Sequence, residues 1–170
     1  MVNIINNIVW KGNDFYATIH KYYTEGLPVR INAEISENPY NRDEEQIAIS
    51  YKILKPVNKA IFTQQDELGN KTKYEETDPE KIPDSARSWI NLKHDEKGEN
   101  EFVLFPKSKP YPLINFAFIQ AGLVPENNTN GFGFDWDELQ DPINDLECNL
   151  RVEQRKGTRP YYVPVPSEKQ

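Results

Sequence analysis

The side chains best placed to do chemistry in this sequence are aromatic rings next to Lys or Arg. They occur as Tyr51-Lys52, as Arg87-Ser88-Trp89, as Phe105-Pro106-Lys107-Ser108-Lys109-Pro110-Tyr111, and as Arg155-Lys156-Gly157-Thr158-Arg159-Pro160-Tyr161-Tyr162. Planar rings stack on exposed bases and cations follow a phosphate backbone, each stacked base contributing roughly 1–3 kcal/mol, so this pairing is suited to single-stranded nucleic acid. In the last segment, strand alternation turns either Tyr161 or Tyr162 outward beside Arg159. The plainer reading of the same residues is that the rings are core and the cations solvated.

Other chemistries find little support. His20 and His94 have no partner at metal-ligand spacing, and Cys148 is the sole cysteine, so a zinc site is not expected. Cys148 shares a strand face with Leu146 and Leu150, which marks it as a small buried apolar residue rather than a nucleophile. No glycine-rich phosphate loop or serine nucleophile elbow occurs. With 27 acidic residues, chance carboxylate pairs carry no information about acid–base catalysis. Glu126-Asn127-Asn128-Thr129-Asn130-Gly131 followed by Asp137 has the ligand spacing of a calcium loop. It departs from that pattern at its first and twelfth ligands, at Gly133, and at Pro125, and reads as a solvated Asn/Gly loop. No enzyme, metal or cofactor is expected.

Elements that would position the aromatic and basic residues are mostly strands. Val29 to Ile35 alternates apolar and polar residues, and Ile47, Ile49, Tyr51 and Ile53 do so again after a turn near Asn38-Pro39, which predicts a pair of neighbouring strands. Ala60-Ile61-Phe62 begins a third strand, and Gln64 to Pro83 reads as a long polar loop insertion. Ser88 to Leu92 and Glu101 to Phe105 form a hairpin whose turn is served by Gly98. Tyr111 to Leu123 is the best helix, nearly all apolar, with Pro112 in its first turn and Gly122 at its end. Phe134 to Leu139 is a short ordered piece. Leu146 to Val152 and Tyr161 to Val165 close the chain as two strands, the last marked as an edge by Pro164 and Pro166. Met1 to Gly26 mixes both periodicities and is left open.

Composition bounds the whole. A chain of 170 residues fits one domain, and 37% apolar with 12% aromatic residues predicts a folded protein with long loops. The N-terminal sequence has no basic leader and no apolar run reaches about 18 residues, so neither secretion nor membrane insertion is expected and the compartment defaults to the cytoplasm. The net charge of −7 is unevenly spread. Glu126 to Glu147 carries acids and no Lys or Arg, whereas Arg151, Arg155, Lys156 and Arg159 face Glu153 alone.

Tyr111 to Leu123, then Phe134 to Leu139, then Leu146 to Glu153 and a basic turn resemble putative single-stranded-DNA-binding proteins of phages and archaea. Their OB fold is a five-stranded barrel with a helix between the third and fourth strands. The resemblance spans roughly residues 28–166, with 1–27 as an extension and 64–83 as a loop insertion. It implies a mainly β, α+β fold: a five-stranded OB-like barrel with one apolar helix before the last two strands. It also implies binding of single-stranded DNA, in the company of replication or recombination proteins and without a cofactor. The residues that would serve are Tyr51, Lys52, Arg87, Trp89, Lys107, Lys109, Arg151, Arg155, Lys156, Arg159 and Tyr162, with Trp89 and Tyr162 as stacking platforms. Two other classes remain open: an acidic protein-interaction module of the viral regulator or inhibitor type, motivated by Glu126 to Glu147, and a structural or carbohydrate-binding β domain.

Overall fold

The computed structural model describes Trp10 and residues 12–35, 44–153 and 161–166. Its elements run α1 (Gly12–Tyr22), β1 (Leu27–Ile35), β2 (Glu44–Ile53), β3 (Ala60–Gln65), β4 (Lys71–Glu76), β5 (Ser85–His94), β6 (Phe102–Leu104), α2 (Tyr111–Gln120), β7 (Phe132–Phe134), α3 (Trp136–Ile143), β8 (Leu146–Glu153) and β9 (Tyr161–Val165). Seven strands form one antiparallel sheet in the order β7-β6-β5-β2-β1-β8-β9, and β3 and β4 make a separate hairpin. The protein is therefore mainly β with three helices among the described residues. The expected five-stranded closed barrel does not form: β7 and β9 each pair on one side only, and the sheet ends at them.

Alternation places Val29, Ile31, Ile47, Ile49, Tyr51, Cys148 and Leu150 on one face, all buried. The β1–β2 register aligns these rows, with Ile31 opposite Tyr51 and Ala33 opposite Ile49. The sheet curls toward this face. Tyr51 on β2 and Tyr162 on β9 are three strand spacings apart, about 14 Å in a flat sheet, yet their ring centroids lie 5.2 Å apart. α2 sits inside the curl, packing against β9. Toward the other edge its Phe118 ring lies 5.0 Å from Phe132 and 5.5 Å from Phe134 of β7. A helix approached from several sides has no wet face, which is why its sequence is apolar all round. Gly122 ends it as expected, at φ 75°, with the Leu123 amide reaching back to the Phe118 carbonyl at 2.9 Å.

Within the ambiguous N-terminal stretch, the described residues form α1, whose Phe15 and Ile19 enter the core; residues 1–9 lie outside the described residues. One turn apart on the same helix, Asp14 and Thr18 hold β3. The Asp14 carboxylate accepts from the Thr63 hydroxyl at 2.7 Å and the Thr18 hydroxyl accepts from the Ile61 amide at 2.9 Å. The stretch expected as a loop insertion instead contains the end of β3, all of β4 and a short turn of helix at Pro79–Lys81. β4 is Lys-Thr-Lys-Tyr-Glu-Glu and wet on both sides, so it lacks the alternation that announces a half-buried strand. The segment expected as one short ordered piece, Phe134 to Leu139, spans the end of β7 and the start of α3.

Three further expectations about these elements hold. β5 pairs with β6 across a turn in which Gly98 has φ 72°. β9 is an edge strand and Cys148 is buried. The loop with calcium-like spacing is tied to α2: the Asn128 amide donates to Asn115 Oδ1 at 2.8 Å, and the Tyr111 hydroxyl donates to the Asn130 carbonyl at 2.9 Å. Asn128, a ligand position in that pattern, is thus engaged within the fold. No helix among the described residues is long and apolar enough to cross a membrane.

A candidate binding face on the uncovered side of the sheet

α1, α2 and the β3–β4 hairpin bring their buried rings to the inner side of the curl, where Phe15 meets Tyr51 and Trp10 meets Phe62. The opposite side is built by the intervening residues of each strand. β1 contributes Arg30, Asn32 and Glu34; β2 contributes Gln46, Ala48, Ser50 and Lys52; β5 contributes Arg87, Trp89, Asn91 and Lys93; β8 contributes Glu147, Asn149 and Arg151. All except Ala48 are exposed or half-buried. Their positions across the face follow from register: Arg87 stands opposite Ser50 and Trp89 opposite Ala48, while Asn32 stands opposite Ser50 from the other side.

Trp89 is 54% exposed at this place. Its cross-strand neighbour is a methyl group, so the indole rises above a low floor. Beside it runs a shallow groove of about 130 Å³ lined by Asn32, Glu34, Ala48, Ser50 and Arg87. Three outward cations are spent on carboxylates: Arg30 on Glu147 at 2.9 Å, Lys52 on Asp84 at 2.5 Å, and Arg151 near Glu153 at 3.9 Å. Arg87 forms no ion pair among the described residues. Lys93 forms none either, and its ammonium lies 5.5 Å from the centroid of the Phe105 ring.

The structure sorts the candidates from the sequence into four groups. Lys52, Arg87, Trp89 and Arg151 share the uncovered face, with Arg87 and Trp89 adjacent in one row. Lys107 and Lys109 are exposed on the turn between β6 and α2, a turn closed by the Ser108 amide and hydroxyl on the Phe105 carbonyl. Arg155, Lys156 and Arg159 lie outside the described residues. Tyr51 and Tyr162 must be corrected. They are 1% and 9% exposed, packed against Phe15 and each other, and neither offers a ring to a base. Burial also pushes both phenols above their usual range. The reason is parity: Tyr51 belongs to the row of Ile47, Ile49 and Ile53, and Tyr162 lies opposite Val152 on the inward side.

Two outward residues were not among the site residues expected from the sequence: Lys93, and Phe105, although Phe105 heads one of the aromatic–basic segments. Lys93 was within reach, since the alternation that turns Trp89 outward also turns Asn91 and Lys93 outward. Phe105 lies just past the end of β6, and alternation within the expected Glu101 to Phe105 strand gives it the side of Val103. The chain matches no protein-family model, no curated protein and no solved structure.

Proposed function

We propose that the uncovered face binds single-stranded nucleic acid, DNA in the first instance, without catalysing a reaction on it. One observation carries the reading: an indole more than half exposed on a hydrogen-bonded sheet, next in its row to an arginine that forms no ion pair among the described residues. A base stacks on the indole face and the guanidinium neutralises the adjoining phosphate. A face built on strands holds both groups in fixed relative positions, so binding needs little ordering of the protein.

The chain order adds support. β1, β2 and β5 follow one another, and β8 returns across α2 and α3 to lie beside β1, which is the Greek key connection. With β9 added, five antiparallel strands occur with helices between the third and fourth, as in the OB class, although here the sheet stays open and carries two further strands. Because most outward cations are paired, electrostatic attraction is modest, and affinity depends on stacking more than in strongly basic binders.

The test is fluorescence anisotropy of a labelled 12-nucleotide oligothymidylate at two salt concentrations, with duplex DNA and single-stranded RNA as competitors. Preference for the single strand with moderate salt sensitivity is the expected result. No complex at low salt would end the proposal and shift attention to a protein partner for the same face.

A further inference from the structure

Only three aromatic rings among the described residues are strongly exposed: Tyr74 on β4, Trp89, and Phe105 at 48%. Phe105 is two residues beyond Val103, which stands opposite Lys93 in the β5–β6 ladder, and it lines a groove of about 310 Å³ together with Lys93, Lys97, Val103 and Gly133 and the acidic Asp95, Glu96 and Glu99. Val103 and Gly133 are outward residues facing each other across β6 and β7, so the groove continues the uncovered face past its Trp89 row. The groove is shaped by the turn after β5. Asp95 spends its carboxylate on the amides of Lys97 and Asn100 at 3.0 and 3.1 Å, and a side chain at Gly133 would collide with the Asn100 amide at 2.4 Å.

Building on the reading of this face as a single-strand site, we infer that Phe105 with Lys93 is a second stacking station, and that the bound strand crosses from Trp89 on β5 to Phe105 at the end of β6. Lys93 follows Trp89 by four residues, about 13 Å along the strand. The row Arg87, Trp89, Asn91, Lys93 presents cation, ring, amide and cation, and the antiparallel register carries Phe105, two residues past Val103, back alongside Asn91. Lys97 sits in the groove among Asp95, Glu96 and Glu99, and Lys107 and Lys109 follow on the turn that Phe105 opens. About half of the Phe105 ring is apolar surface in water, and a base laid on it removes that surface from water and keeps the phosphates near the lysines.

The experiment compares wild type, Trp89→Ala, Phe105→Ala, Phe105→Tyr and the double alanine variant for binding to oligothymidylates of 4 and 12 nucleotides, with thermal melting to show that each folds. Phe105→Ala is expected to weaken 12-nucleotide binding about 5- to 150-fold, the range for one stacked base. Phe105→Tyr should keep wild-type affinity, and the double variant should be weaker than either single one. Unchanged binding in Phe105→Ala, with Trp89→Ala still impaired, would overturn the second station and leave the single-strand reading standing. No binding by wild type would overturn both.

Discussion

At the residue scale, exposure separates three tryptophans that composition treats alike. Trp10 is 2% exposed and donates from its indole nitrogen to the Pro83 carbonyl at 2.7 Å, Trp136 is partly buried, and Trp89 stands in solvent. Intrinsic fluorescence should therefore be quenched by oligothymidylate through Trp89, and Trp89→Phe should abolish most of the quenching while preserving binding; quenching that persists in that variant would place the contact elsewhere. Arg87→Ala should lower the slope of log affinity against log salt by about 0.7, one single-strand phosphate, measured by anisotropy from low to moderate salt. Cys148 behaves in the opposite way. Burial pushes its thiol up to about 12, so iodoacetamide at pH 8 should leave the folded protein unmodified and label the urea-unfolded chain at once. A native rate equal to the unfolded one would contradict the packing of β8 against β1.

At the scale of elements, the enclosed helix α2 and the approach of the loop before β7 govern stability. Ile114 is fully buried, and Ile114→Ala should cost about 2–5 kcal/mol by removing buried methyl groups and leaving a cavity, read from the urea midpoint. Gly131 lies so near β6 that a Cβ there would approach the Leu104 carbonyl oxygen to 2.5 Å. Gly131→Ala must push backbone away from backbone, and it should lower the melting temperature, whereas Gly98→Asn, at a turn position with open space around it, should be nearly neutral. Most of these elements were legible from periodicity: β1, β2, β5, α2, β8 and β9 each show the pattern their environment demands. β4 was not, because a strand wet on both faces has no apolar row to betray it. α1 was obscured because one helix face serves the sheet and another, through Asp14 and Thr18, serves β3.

At the scale of the molecule, the curl of the sheet gathers Tyr16, Tyr51 and Tyr162 into one buried cluster, with Tyr16 and Tyr162 stacked at 4.0 Å. Burial raises all three phenols, and the Cys148 thiol with them. Below pH of about 8.5, near the usual thiol value, these groups are protonated in both folded and unfolded chains and give no pH dependence. Above that, and more steeply past the usual phenol value near 10, the unfolded chain releases protons that the folded one retains. Their contribution to stability is therefore lost as pH rises. The urea midpoint should fall between pH 8 and pH 11, with phenolate absorbance appearing at the unfolding transition; a midpoint that stays level over that range would show the cluster to be open to water.

The sequence by itself determined which strands alternate, where the apolar helix begins and ends, that Cys148 is interior, and that rings and cations recur together. These are local matters, decided by spacing along the chain and by which residues water rejects. Tertiary structure alone decided which member of each aromatic–basic pair faces out. Parity relative to the core sends Tyr51 and Tyr162 inward and Trp89 outward, and ion pairing takes up Arg30, Lys52 and Arg151 while Arg87, next to the exposed indole, forms no ion pair among the described residues. It also decided that the sheet curls around α2 without closing, because β7 extends one edge while β9 ends the other, so the two edges meet a helix in place of each other.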